Sequence, residues 1–317
     1  MEMRALGRAG LQVAPICLGG NVFGWTCDEP TSQAVLDAYV AGGGNFIDSA
    51  DVYARWAPGN VGGESEAILG RWMRARGNRE QLVIATKVGS AMGDGPNQRG
   101  LSRQHIVAAV EASLRRLQTD YIDLYQAHID DAATPLDETL RAFDDLLRQG
   151  KVRYIGASNY SAWRMVQALW TSDRRGYAPY VCVQPRYNLV DRAEYERELE
   201  PACLALGVGV ITYSALGGGF LSGKYRRDGE LPTTARADSV RQRYMHERGW
   251  AVLDALLAVA EARGATPTQV ALAWQLARPS VTAPIASATS VAQVQELLGA
   301  AALKLTTEEL AALDVGA

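Results

Sequence analysis

Residues 82–128 read LVIATKVGSAMGDGPNQRGLSRQHIVAAVEASLRRLQTDYIDLYQAH, and the change of period within this stretch decides the fold. Leu82–Thr86 is a continuous β-branched and apolar run. Arg103–Leu117 instead carries Ile106, Val110, Ser113, Leu114 and Leu117 at i, i+3/i+4 spacing, the stripe of a helix packed on one side. Tyr121–Gln126 returns to a continuous apolar run. Strands that are apolar throughout, rather than alternating, are covered on both faces, as parallel strands are when helices connect them.

Working outward, the same unit recurs to both ends of the chain. Strands are expected at Pro15–Leu18, Asn45–Ile47, Leu82–Thr86, Tyr121–Gln126, Val152–Gly156, Tyr180–Val183, Val208–Tyr213 and Val281–Ile285. Helices are expected at Ser32–Ala41, Glu64–Arg74, Arg103–Leu117, Leu136–Arg148, Ser161–Leu169, Glu194–Leu206, Trp250–Arg263 and Val291–Leu298. Eight strands with eight following helices is the count of an α/β (β/α)8 TIM barrel, and 317 residues suit one such domain over 1–317. A doubly wound sheet needs fewer strands and a glycine fingerprint after the first one. Gly42-Gly43-Gly44 stands after a helix and before a strand, the place of a C-cap and tight turn. A short N-terminal hairpin is expected over 3–13 around Gly7–Gly10. The connection Leu216–Gly249 is far longer than an ordinary βα loop, and such long βα loops lie over the C-terminal face of a barrel.

Composition narrows the function. A formal charge of −3 supplies no basic field for nucleic acid or an anionic membrane. Pro201–Gly223 carries no charge, but its six glycines and its Thr212, Tyr213, Ser214 and Ser222 read as helix end, buried strand and glycine-rich loop, not as a membrane span. Nothing near Met1 has the apolar core of a secretory signal. Cys17, Cys27, Cys182 and Cys203 lack metal-ligand spacing and read as buried thiols of a cytoplasmic protein. His105, His128 and His246 likewise show no paired-ligand spacing, so no metal is expected. No G-x-S-x-G turn marks a serine hydrolase.

In a barrel the chemistry sits where strands end at their C-termini. Those positions carry Asp48 with Tyr53 shortly after, Lys87, Gln126 with His128, Ser158-Asn159, Gln184, and Tyr213-Ser214. Each alone has a plain structural reading: Asp48 as a strand-end cap, His128 as a satisfied structural histidine, Lys87 as a solvated charge, Tyr213 as core or rim. Together they offer complementary roles at one mouth. An ammonium beside a phenol favours the phenolate and is expected to lower its pKa, and a carboxylate beside the lysine keeps that lysine charged and fixed. An imidazole can orient a carbonyl oxygen while the phenol donates its proton. A Lys87 Schiff base of the aldolase or lyase kind is a second reading, opposed by Asp48, which would hold the amine protonated.

The blocks NFIDSADVY (45–53), IATKVG (84–89), DLYQAH (123–128), GASN (156–159), VQPRYN (183–188), ITYSALGGGFLSGKY (211–225) and PIASATS (284–290) resemble those of the aldo-keto reductase family, in order, over essentially the whole chain. The closest flavour is the longer bacterial branch. The resemblance implies an NADPH- or NADH-dependent oxidoreductase that reduces aldehyde or ketone carbonyls reversibly. It makes Asp48, Tyr53, Lys87 and His128 the catalytic tetrad, with Tyr53 the acid in reduction and the base in oxidation. It places Ser158, Asn159 and Gln184 on the nicotinamide carboxamide with Tyr213 stacked on the ring, and Gly20 and Asn21 among the cofactor-binding residues. Ser214, Leu216, Gly219, Leu221, Gly223 and Lys224 fall along the pyrophosphate loop, and Ser287, Thr289, Gln293 and Glu296 around the adenosine end. NADPH-preferring relatives usually have Lys or Arg where this chain has Ser287, Thr289 and Gln293, with Lys224 or a loop arginine left to compensate. Leu297 replaces an asparagine that often contacts adenine. Trp25, Trp56 and Ile129 are expected to wall the substrate pocket, in the rim formed by GGNVFGW (19–25) and YARWAPGNVGGESE (53–66). The expected partner is a small-molecule carbonyl compound, and the chain a monomer or small homo-oligomer. Some relatives are non-catalytic subunits that bind cofactor, which is a third reading.

Overall fold

Each of the eight expected runs lies in one ring of parallel strands. A computed structural model describes residues 1–227 and 229–315. After a two-stranded antiparallel hairpin, β1 (Arg4–Ala5) and β2 (Gln12–Val13), come β3 (Cys17–Gly19), β4 (Phe46–Asp48), β5 (Val83–Val88), β6 (Ile122–Ala127), β7 (Val152–Ser158), β8 (Cys182–Gln184), β9 (Gly209–Thr212) and β10 (Val281–Ala286). They pair in the order β10-β3-β4-β5-β6-β7-β8-β9 and close on themselves. The chain folds as a (β/α)8 TIM barrel with a small N-terminal hairpin.

The strand period of two explains why the functional side chains meet. Phe46, Ala85, Leu124, Cys182 and Ile211 belong to the apolar cluster that fills the barrel interior. Two residues further along the same inward-facing rows stand Asp48, Lys87, Gln126, Gln184 and Tyr213. The polar set therefore continues the core rows by one pleat, at the end where the strands point. The alternate residues Ile84 and Val88 face the helices instead. At the opposite end Leu6, Val13 and Ala14 of the hairpin region join the interior cluster and stop the barrel. Gly7 fits there only as glycine: its φ is +58°, and a Cβ would lie 2.5 Å from the Gly209 nitrogen.

Around the barrel run α1 (Glu29–Ala41), α2 (Glu64–Arg76), α3 (Arg103–Leu117), α4 (Leu136–Arg148), α5 (Ala162–Arg175), α6 (Glu200–Leu206), α7 (Ala237–Tyr244), α8 (Glu247–Arg263), α9 (Pro267–Leu276), α10 (Val291–Gly299) and α11 (Thr307–Leu313). The bounds of α3 and α4 match expectation, and the departures have local causes. α1 starts before Ser32 because Asp28 accepts from the Thr31 amide and Pro30 pre-sets the first turn. The expected helix 194–206 opens with a π-turn over Tyr195–Leu199 and only then becomes α6. Pro201 has no N–H for the carbonyl four residues back, and the widened turn absorbs that gap.

The largest correction concerns the last crossover. Trp250–Arg263 is the body of α8, but α8 packs against α9 and α11 outside the barrel, and α9 leads into β10. α9 is buried at Thr268 and from Val270 through Gln275, so it shows no polar face by which its period would register. Its start is fixed by a reciprocal capping box between Thr266 and Gln269. The long loop 216–249 contains a second unexpected helix, α7. The uncharged segment 201–223 resolves into α6, β9 and glycine-rich turns, as its composition implied. Among the described residues no helix is long and apolar enough to cross a membrane. All four cysteines are free and buried.

Candidate active site

A cleft of about 1400 Å³ opens at the C-terminal face of the barrel. That exceeds the space an ordinary small ligand fills, about 300–1000 Å³, and suits a long ligand with a second molecule beside it. Its wall includes Asp48, Tyr53 and His128 in the middle, Trp25 and Trp56 on one side, and Ser287, Thr289, Gln293 and Glu296 on the other.

Lys87 stands directly behind this wall. It is 0% exposed, and its Nζ donates to Asp48 Oδ2 at 2.6 Å, to the Ser49 carbonyl at 2.8 Å and to Tyr53 Oη at 2.8 Å. Three protons meet three acceptors, which fixes the ammonium without solvent. Asp48, 1% exposed, is the hub. Its Oδ2 also accepts from Tyr53 Oη at 3.3 Å, while Oδ1 accepts from Gln126 Nε2 at 3.3 Å and Gln184 Nε2 at 3.0 Å. A buried carboxylate is tolerable only when paired and bonded in this way.

The expected lowering of the phenol pKa is not what this arrangement gives. Burial, and after it the Asp48 carboxylate, hold the Tyr53 phenol well above its ordinary value. Tyr53 therefore keeps its proton through neutral pH. His128 is shifted the other way: burial, with Lys87 adding to it, pushes the imidazole down to about 3, so it is neutral at ordinary pH. The two rings lie edge to face with centroids 6.0 Å apart.

On the neighbouring strand ends, Ser158 Oγ donates to the Gln184 carbonyl at 2.9 Å. Asn159 Nδ2 donates to the His128 carbonyl at 2.9 Å, and Tyr213 Oη donates to Asn159 Oδ1 at 2.8 Å. Asn159 and Ser214 both have φ +59°, and Ala54, next to Tyr53, has φ +73°. Non-glycine residues held there are strained by about 1–3 kcal/mol each, and all three flank the cleft.

Most of the anticipated contact residues reach the cleft: Asn21, Ser158, Asn159, Gln184, Tyr213, Ser214, Leu216, Gly219 and Lys224 line it beside the four from the β10–α10 region. Gly20, Leu221, Gly223 and Ile129 do not. The Gly20 carbonyl accepts from Ser65 Oγ, Leu221 is buried in the core, and Gly223 packs beside Pro267. Ile129 stands exposed beyond His128. Ser287 Oγ donates to Asn21 Oδ1 at 2.5 Å, joining the first and last barrel strands at the rim.

Two participants were not identified singly from sequence. Ser90 Oγ lies 3.2 Å from His128 Nδ1 and can fix the tautomer of the ring. Arg236, from the long loop, reaches over the mouth until its guanidinium lies 5.3 Å from the Trp25 ring centre. Its Nη2 is buried without a hydrogen-bond partner. Lys224 lines the same wall, and its pKa is lowered by burial and then by Arg236. Two partly buried cations that repel one another form a place for an anion such as a pyrophosphate. Ser90 carries no signal apart from its spacing to Lys87, and Arg236 was one of several arginines in a long loop.

The sequence comparisons converge with this geometry. Residues 15–315 match the model of the Aldo/keto reductase family. The chain is 39% identical over 320 aligned residues to the Bacillus subtilis protein called uncharacterized oxidoreductase YrpG, covering 99% of this chain and 95% of the relative. It is 35% identical to proteins of Arabidopsis thaliana and Oryza sativa subsp. japonica, each called a probable voltage-gated potassium channel subunit beta, over 93% of this chain and 90% of each relative. A closed parallel barrel, a buried lysine-carboxylate-phenol cluster at its mouth and matches spanning nearly all residues lead to one assignment: the chain is an oxidoreductase of the aldo/keto reductase family.

Proposed function

We propose that this chain reduces aldehyde or ketone carbonyls to alcohols, reversibly, with NADPH as the first-choice cofactor and NADH as the alternative. The observation that carries this reading is Tyr53 Oη on the cleft wall, held by Lys87 from behind and kept protonated by burial and Asp48. The nicotinamide supplies the hydride when it is bound. Ser158, Asn159, Gln184 and Tyr213 would hold its ring end, and Lys224 with Arg236 its phosphates. Ser287, Thr289, Gln293 and Glu296 would face its adenosine.

The protein's own task is the proton. A carbonyl oxygen entering between Tyr53 and His128 becomes basic as its carbon is reduced, and the Tyr53 proton crosses to it. The phenolate left behind is stabilised by Lys87 Nζ at 2.8 Å, a contact that strengthens once the proton has gone. Neutral His128 serves as a hydrogen-bond donor when Ser90 Oγ donates to Nδ1, leaving the proton on Nε2. Trp25 and Trp56, edge to face at 5.6 Å, would press on an apolar, aromatic or sugar-like small molecule. Lys87 acting as a Schiff-base nucleophile is disfavoured by its enclosure and its three committed donors. Four free thiols fit a reducing cytoplasm.

Two expected results test the site. Ser90→Ala lowers kcat by about tenfold with cofactor affinity kept, because the imidazole is freed to take the wrong tautomer. In the parent, the histidine's folded pKa of about 3 lies below its unfolded value, so acid favours the unfolded, charged ring only below about pH 6.5. The kcat profile accordingly shows no break near pH 6.5, and a break there would remove His128 from its neutral role.

The class itself is tested by titrating the protein with NADPH and NADH, following tryptophan quenching. Saturable binding of either supports the reading, and binding of neither by folded protein overturns it. Ser287→Arg is expected to improve NADPH binding over NADH by about tenfold, since it adds a charge for the 2′-phosphate. Equal effects on both would misplace Ser287. A second reading, a cofactor-binding regulatory subunit, is favoured by likeness to the two plant proteins. Tight cofactor binding with no turnover across a carbonyl panel would choose it.

A further inference from the structure

Gln126 is 0% exposed and stands two residues beyond Leu124 on an inward row of β6, where an apolar side chain would simply continue the core. A buried amide carries a desolvation penalty unless both of its ends are bonded, and here both are. Gln126 Nε2 donates to Asp48 Oδ1 at 3.3 Å, and Gln126 Oε1 accepts from Gln184 Nε2 at 3.3 Å. Gln184 Nε2 donates its other proton to the same Asp48 oxygen at 3.0 Å. Room for this arrangement comes from Gly156, the register partner of Gln126 on β7. A Cβ there would lie 3.4 Å from Gln126 Cγ and 2.6 Å from Cys182 Sγ.

The three side chains have one consistent polarity. Asp48 is paired with the Lys87 ammonium at 2.6 Å, and an ionised carboxylate only accepts. Both amides therefore turn nitrogen, not oxygen, toward it. With both Nε2 protons of Gln184 spent on Asp48 and Gln126, the atom it has left for the cleft it lines is Oε1, an acceptor. We propose that Gln126 is a positioning residue that locks the Gln184 amide in this sense. The site then reads the N–H of the cofactor's carboxamide and discriminates against a pyridine ring bearing a carboxylate, an inference that rests on the cofactor reading above. A carboxylate has no proton for Oε1 and meets it as one acceptor against another. Asp48 alone holds only one of the two Gln184 protons. Without Gln126 the second is free to swing toward the cleft, where a carboxylate accepts it.

The test is a fluorescence titration with NADP+ and NAD+, each beside its nicotinic acid counterpart, which bears a carboxylate in place of the carboxamide. The parent is expected to bind the amide forms at least about tenfold more tightly. Gln126→Met keeps the length of the side chain and removes both polar ends. It should cut the preference by about threefold to tenfold, weakening the amide form and strengthening the acid form, whereas damaged packing weakens both alike. Gln126→Leu repeats the measurement with the residue that fills this row one pleat earlier. In a Gln184→Met background the substitution should move the preference by less than about twofold, because Gln126 acts through Gln184. A parent indifferent to amide and acid overturns the inference while the cofactor reading stands. So do Gln126 variants that keep the parent's preference, or that lose it equally with Gln184 already replaced. A folded parent that binds none of the four dinucleotides removes both.

Discussion

Tyr53→Phe is expected to lower kcat by about two to four orders of magnitude while leaving cofactor affinity within about twofold. The phenol is the proton source nearest the middle of the cleft, and phenylalanine keeps the ring that packs against Trp56 at 5.9 Å. Only Oη is lost, together with its contacts to Lys87 and Asp48. Asp48 still has Lys87 and two amides, so no buried charge is stranded and the fold should hold. The measurement is kcat on any turned-over aldehyde beside a fluorescence titration with NADPH. Full retained activity would take the acid role from Tyr53, and a parallel loss of cofactor binding would make the residue a wall rather than a donor.

Lys87→Met acts on a different quantity and should cost more than activity. It leaves Asp48 ionised, 1% exposed and without its cation. Breaking a buried pair by removing one partner costs about 3–5 kcal/mol, because the remaining charge is stranded. Urea denaturation at neutral pH should show that deficit. Adding Asp48→Asn removes the charge altogether and should recover most of the stability but none of the turnover. If the single variant were as stable as the parent at pH 7, the pair would be less coupled than a 2.6 Å contact implies.

The strands and the mouth residues were legible because one physical rule governs both. A parallel strand covered on two faces has to be apolar, so the first polar residue on an inward row marks where the core stops. Asp48, Lys87, Gln126 and Gln184 were found in that way. α9 was not, because burial on all sides erases its period, and α7 was hidden in a segment whose composition resembles a loop. Side-chain reach is the other blind spot. That Arg236 crosses the mouth to Trp25, or that Gly20 turns its carbonyl toward Ser65, depends on loop paths that no local spacing encodes. The direction of the Tyr53 shift was missed for a related reason. Sequence supplied the neighbours of the phenol but not its burial, and burial is the largest cause of the upward shift.

The enclosure of Lys87 bears on timing as well as on energy. Its three donors go to a carboxylate, a main-chain carbonyl and the phenol itself, all acceptors within the protein. On the proposed chemistry, a proton surrendered at Oη is restored from the cleft side. It comes back through the mouth, past the two indoles, after whatever fills the mouth has departed. On the proposed chemistry, emptying the cleft and re-arming the acid are thus one event, and the same opening sets the rhythm of both.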